Sequence, residues 1–446
     1  MPRVKSRSYS SVGGQDMTRR LQISTMTVAA VLMSACSLGP TAAGPRASPS
    51  ARDSFATLTD QRIARAQDLL RSRPDSVVGM NQLAQGYLQK VREIGDPSYY
   101  PKVESLLKSA IARDPANFDS TTLMGLLLLA RHRFKEALVW GNRARTLNPS
   151  NSGPIGVITD ANVELGLYED AATAVKQMVN IRPDLASYSR FSYVQELNGN
   201  IDGAIQSMKD AVTAGGPFPE NTAYVQVLLG NLQFNRGHLE EAEAQYQQVL
   251  GQYANYVPAL ASLAAVRAAQ ARSNDAIRLY RQATVIYPLP QYVIALGDVY
   301  ASTGDSDNAA RTYELAATEQ QLYAANGVDL DQELALFEAD HQRNLPDALA
   351  AAQRAIMDRP SVTSADVLAW TKYQAGAYQE ALSASHQAHR VGTLDALFFF
   401  HTGMIEAKLG MPEQARTDLR EALAINPHFS VLHAPEARRT LASLGG

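Results

Sequence analysis

The sequence predicts an all-α solenoid of about ten stacked helical hairpins with a capping helix at each end. Three observations point to it: an alanine that recurs about every 34 residues, a second small residue seven positions after each recurrence, and glycine or proline where such a pattern needs a turn. Composition agrees, because only 19% of the 446 residues are charged and 7% are aromatic, which suits packed helices better than disorder.

The alanine series defines the repeat. Ala137, Ala171, Ala204, Ala242, Ala276, Ala309, Ala348, Ala381 and Ala415 are separated by 34, 33, 38, 34, 33, 39, 33 and 34 residues, and Val103 extends the series 34 residues backward. Seven positions later stand Ala110, Ala144, Met178, Ala211, Val249, Ala283, Ala316, Ala355, Ala388 and Ala422. Seven residues are two helical turns, so both columns share one face of a helix. Twelve residues before the alanines, Gly125, Gly230, Ala264, Gly297 and Gly403 form a small-residue column on the preceding helix. Two antiparallel helices with small residues on facing sides approach closely, and Leu260, Leu263, Leu279 and Tyr280 are the kind of filling that one hairpin cannot bury alone.

Glycines stand near the turn of five hairpins, at Gly166, Gly199, Gly237, Gly304 and Gly410. Pro115, Pro149, Pro183, Pro288, Pro360 and Pro427 fall five residues after the second column, where each hairpin ends, because proline disfavours helix in the residue before it. Three irregularities break the spacing: an extra stretch at Gly95-Asp96-Pro97 and two long intervals holding Gly215-Gly216-Pro217 and Asn326-Gly327. The sequence thus divides into a capping helix within 56–76, an array over 77–427 in arcs 77–214, 223–320 and 329–427 with bends between them, and a second capping helix within 428–446.

This pattern resembles the tetratricopeptide repeat family, through Gly125, Ala137, Ala144 and Pro149 in one unit and Leu296-Gly297, Tyr300, Gly304, Ala309, Tyr313 and Ala316 in another. The resemblance implies a right-handed superhelix whose first helices line an open concave groove that binds protein or peptide partners. In that register the groove presents Tyr193, Tyr224, Asn231, Phe234, Asn235, Asp298, Phe337, Asp340, Trp370, Tyr373 and Phe400. Aromatic rings beside amides and acids suit an extended or helical peptide, and a basic or neutral segment fits this face better than an acidic one.

Residues 1–36 have the layout of an export signal. Arg19-Arg20 precede an apolar run from Leu21 to Met33, and Ser34-Ala35 lead into Cys36, the chain's single cysteine. The run is shorter than the roughly 20 residues a spanning helix requires. Met17 offers an alternative start immediately before the basic pair. Cys36 after small residues resembles the lipobox of bacterial lipoproteins, with Met33 where leucine is usual, and that resemblance implies acylation and a membrane anchor on the extracytoplasmic side. Ordinary cleavage near Thr41-Ala42-Ala43 and a cytosolic tail are the alternatives. Residues 37–55, rich in Ser, Pro, Ala and Gly, read as a flexible tether.

Charge and motifs narrow the function further. The net charge is −3, and removing the five basic residues and one acid that precede Cys36 makes it −7, so no basic footprint for nucleic acid exists. Phosphate-cradling, zinc-protease, nucleophile-elbow and dinucleotide motifs are absent from the sequence, which reads as that of a non-enzyme requiring no cofactor. Five of eight histidines lie in the last 61 residues. His386 and His389 share a helix face and, with His401, are the weak metal candidates behind an alternative reading as a metal or solute accessory protein. Solvated polar residues on the outer helix are the plainer interpretation. The sequence does not fix the oligomeric state.

Overall fold

The computed structural model describes residues 56–445, and these contain 22 helices and no strand. The first, α1 (Ala56–Ser72), leads into ten hairpins. These are α2 (Val77–Ile94) with α3 (Tyr99–Arg113), α4 (Phe118–Ala130) with α5 (Phe134–Leu147), and α6 (Ser152–Glu164) with α7 (Tyr168–Ile181). Next come α8 (Leu185–Leu197) with α9 (Ile201–Ala214), α10 (Pro219–Phe234) with α11 (Leu239–Gln252), and α12 (Val257–Ala269) with α13 (Ser273–Ile286). The last four pairs are α14 (Pro290–Ser302) with α15 (Ser306–Ala325), α16 (Asp331–Asp340) with α17 (Leu345–Asp358), α18 (Val362–Gln374) with α19 (Tyr378–Ala388), and α20 (Ala396–Lys408) with α21 (Pro412–Ile425). Helix α22 (His433–Ser443) packs on α20 and α21.

Local chemistry sets the helix ends. Asn117, Asp184 and Ser361 each cap the helix that follows by accepting a backbone N–H, and Asp184 with Ser187 forms a reciprocal capping box. Each of the six prolines noted above stands two residues beyond the last residue of its helix. Every member of both small-residue columns, from Val103 to Ala422, is buried. The glycine column explains the close approach: a Cβ on Gly297 would lie 2.3 Å from the Tyr313 ring, and one on Gly230 would lie 2.4 Å from the Tyr246 ring. The rings of the second helix therefore lie directly on the backbone of the first.

The solenoid closes on itself. The backbone N–H of Asp329 donates to the carbonyl of Arg131 at 3.0 Å, and the Asp329 carbonyl lies 2.7 Å from His132 Nδ1. Val362 N–H donates to the Tyr168 hydroxyl at 2.7 Å, Thr393 Oγ1 to the Leu197 carbonyl at 2.7 Å, and Asn426 Nδ2 to the Phe234 carbonyl at 2.8 Å. These pairs are separated by 192 to 198 residues, so the path completes one superhelical turn in that length. The turn inside each hairpin of one coil docks on the loop between hairpins of the next. Successive coils are thereby joined edge to edge, through helix ends and loops.

The three spacing irregularities are where the coils meet. The carbonyl of Gly95 accepts from the Tyr323 hydroxyl at 2.6 Å, and its missing side chain admits the Tyr287 ring, which a Cβ would meet at 2.6 Å. Glu220, just after Pro217, accepts from Gln89 and Arg92 of α2 and from Tyr256 at the N-cap of α12. The long α15 and the loop after Asn326 reach back to Gly95 and Arg131. Sequence spacing suggests bends at these loops; α10 packs against α9 as closely as other neighbouring hairpins do, whereas α15 and α16 touch only sparsely, with the Tyr313 and Phe337 rings among their contacts. The extra residues make contacts between coils.

Candidate docking surface on the inner wall

The first helices of the hairpins form the inner layer, and the structure divides the eleven residues assigned to it. Phe337 and Phe400 are fully buried, and Trp370, Phe234 and Tyr373 nearly so. They fill gaps between neighbouring hairpins: Trp370 stacks on Tyr373 at 4.8 Å and on His401 at 4.2 Å, and Phe400 packs against Phe429. These five residues belong to the core.

The other six, Tyr193, Tyr224, Asn231, Asn235, Asp298 and Asp340, are half-buried, and several tie one hairpin to the next. Asn231 Oδ1 accepts from the Tyr246 hydroxyl at 2.8 Å and from Ser262 at 3.2 Å. Asp298 accepts from the Tyr313 hydroxyl and from His341 Nε2, both at 2.9 Å. Asp340 accepts from Trp370 Nε1 at 2.8 Å and from His433 Nε2 at 3.2 Å. The Arg92 guanidinium lies over the Tyr224 ring at 4.7 Å.

Sequence reasoning placed Glu196, Asp298, Glu333 and Asp340 on this wall but did not single out Asp160 and Glu164. Asp160 and Glu164, one helical turn apart on α6, lie near Tyr193 of α8, and Glu164 also lies near Glu333 of the next coil. Burial pushes the Asp160 carboxyl up to about 6, even though Arg190 holds it by two bonds of 2.8 Å. Burial pushes Glu164 up to about 7, against the opposing field of Arg359. Glu196 is also raised to about 7, by burial first and partly by the charge of Asp395, against its bond from Asn235. Burial disfavours ionisation of Glu333 too, but Arg359 and His132 overcome it and hold that carboxyl below its ordinary range. The i, i+4 pair on α6 was visible in the sequence, but the proximity of Glu333 depends on superhelical pitch, which the sequence does not show.

The histidines are dispersed among structural partners. His401 is fully buried with Nδ1 on both oxygens of Asp366, at 3.0 and 2.9 Å, and His389 Nε2 lies 3.0 Å from Thr402. His386 is exposed on α19. Among the described residues no group of three or more His, Cys, Asp or Glu side chains is placed to hold a metal ion. Nor is any helix among them long and apolar enough to cross a membrane. Cys36, the export signal and the tether lie outside the described residues.

A chain of helical hairpins stacked in sequence, with an inner layer of polar and aromatic side chains, defines an α-solenoid. No protein-family model matches the chain. It is similar to human tetratricopeptide repeat protein 21A, with 24% identity over 246 residues, covering 49% of this chain and 18% of that protein. The match thus spans less than a fifth of that relative. Among solved structures, a thermophilic tetratricopeptide protein of Thermus thermophilus is 22% identical, covering 41% of this chain and 98% of its own, with a TM-score of 0.36. The human IFIT1 dimer with PPP-AAAA is 13% identical over 83% of this chain and 94% of its own, with a TM-score of 0.45.

Proposed function

We propose that this chain is a docking scaffold that holds an extended or helical segment of a protein partner along its inner wall. The observation behind this reading is the row of half-buried rings, amides and acids, Tyr193, Tyr224, Asn231, Asn235, Asp298 and Asp340, on or at the end of the inner helices α8, α10, α14 and α16. Such a surface offers contact area and backbone-pairing groups without a nucleophile, base and oxyanion donors converging on one point. The similarity to a human tetratricopeptide repeat protein supports the same reading.

A photo-crosslinking residue at Tyr193 or Asp298 tests it in cells. The same partner is expected at both inner positions and not at Val285 or Met357, which are 84% and 76% exposed. Crosslinks confined to those two outer positions would overturn the inner-wall assignment.

The second element of the proposal is a lipid tether at Cys36 that places the array outside the cytoplasm of a bacterial cell, supported by the basic, apolar and small-residue order before that cysteine. Labelled fatty acid should mark the product, and Cys36→Ala should abolish the label. Equal labelling of both forms would refute the anchor.

A further inference from the structure

We infer that the outer layer carries a second binding site, a cleft between α5 and α7 that takes a free dipeptide with apolar side chains. The cleft is built on second helices, so it stands apart from the inner wall and does not depend on the docking function.

A cavity of about 300 Å³ opens between these two helices, above α6. Leu138, Ile158 and Ala174, which pack together in the core, make its apolar floor, and the half-exposed Leu167 forms an apolar edge. Asn162 of α6 lines the same cavity. It is only 5% exposed, yet among the described residues its side-chain amide makes no hydrogen bond.

The repeat shows why the space is there. The same position, nine residues before the recurrent alanine, holds longer side chains in other hairpins, and these are answered on the second helix of their own hairpin. Gln195 Nε2 donates to Ser207 at 2.7 Å, Arg267 Nη1 to Glu243 at 2.5 Å, and Lys372 Nζ to Glu380 at 2.7 Å. The shorter Asn162 reaches no such partner, and its amide is left lining the cavity. A buried amide without partners is costly, and a ligand that supplies them recovers that cost.

Two charges complete the site. Arg145, in the last turn of α5, and Asp170, in the first turn of α7, both line the cavity. Among the described residues neither side chain has an ion pair or a hydrogen bond. As second helices of successive hairpins, α5 and α7 run in the same direction, so the cation and the acid stand towards opposite ends of the cleft. A dipeptide has the matching order: an ammonium for Asp170, a peptide group for the Asn162 amide, which both donates and accepts, and a carboxylate for Arg145. A free amino acid carries both charges on one carbon, too close together to serve both ends. A cavity of this size is at the lower end for ligand sites and has no room for a long segment.

Isothermal titration of the full chain with alanyl-leucine tests this. The dipeptide should bind, and acetylating its amine or amidating its carboxylate should each weaken binding by about tenfold or more. Arg145→Gln should erase the preference for the free carboxylate, and Asp170→Asn the preference for the free amine; both residues are exposed, so the fold should survive either change. Asn162→Ala should weaken all forms alike. Equal binding of the free and doubly blocked dipeptides would overturn the assignment in favour of an internal segment of a longer chain. Free leucine binding as tightly as the dipeptide, or no heat with any of these ligands, would also overturn it. The inner-wall crosslinks stand or fall separately.

Discussion

The guanidinium of Arg92 grips the carboxylate of Glu220 with two hydrogen bonds, Nε to Oε2 at 3.1 Å and Nη2 to Oε1 at 3.2 Å, across 128 residues of chain. Glu220 is 1% exposed and also accepts from the Tyr256 hydroxyl at 2.8 Å, so one carboxylate ties α2, α10 and α12 together.

Removing only one partner should therefore be costly. Glu220→Ala leaves the mostly buried Arg92 charge without its carboxylate, and the loss should be about 2–4 kcal/mol in urea denaturation. An apolar replacement of both, Arg92→Met with Glu220→Leu, should cost much less, because no buried charge is stranded. Equal losses for the single and double variants would contradict this account.

Ala271 occupies the turn between α12 and α13 with φ of +57°, where Gly304 stands in the hairpin from α14 to α15 with φ of +82°. A Cβ in the left-handed region costs on the order of 1 kcal/mol. Ala271→Gly should thus raise stability by about that amount in chemical denaturation, with no change in the far-ultraviolet spectrum.

Contacts between coils should be detectable at a distance. Asn426→Ala and Thr393→Val each remove a donor to a carbonyl one coil earlier, Phe234 and Leu197 respectively, at a cost of about 1–3 kcal/mol each. Hydrogen exchange should accelerate in the turns at 197–199 and 234–237. Acceleration limited to the mutated loop would show that the coils are independent in solution.

His433 predicts a pH dependence. Burial alone would lower its pKa, but hydrogen bonds to Asp340 and Glu436 raise it to about 10, while Asp340 is held below its ordinary range. A raised folded value means that the stabilisation is complete below the unfolded pKa of about 6.5 and is lost as pH rises through about 10. Asp340 contributes above its unfolded value of about 3.9 and less as pH falls below it. The stability difference between the native chain and His433→Gln should be widest from about pH 4 to 6.5, at about 1–3 kcal/mol, and shrink towards pH 10. A difference that does not vary with pH would mean that the contact is steric.

Much of the architecture was legible because it depends on volume. Ala137, Ala144 and their counterparts are small where two helices touch, and the burial of every one follows from that single requirement. The inner wall was less legible, since Trp370 and Phe400 have the same spacing whether they face a groove or the next hairpin. Long-range pairs such as Arg92 with Glu220, or Tyr168 with Val362, depend on how far each hairpin rotates on its neighbour. No local pattern encodes that rotation. The positions of the irregular intervals were visible, but their purpose was not, because an insertion reads alike whether it bends a path or bridges it.

The closure of the path changes how damage should spread. In a linear stack each hairpin has two neighbours, and a weakened unit frays towards the nearer end. Here a hairpin near Phe234 also has a neighbour near Asn426, so the lattice of couplings is a sheet wrapped into a tube. Melting should accordingly proceed as one event across both layers, and a cut in the middle of the chain should leave the halves clasped.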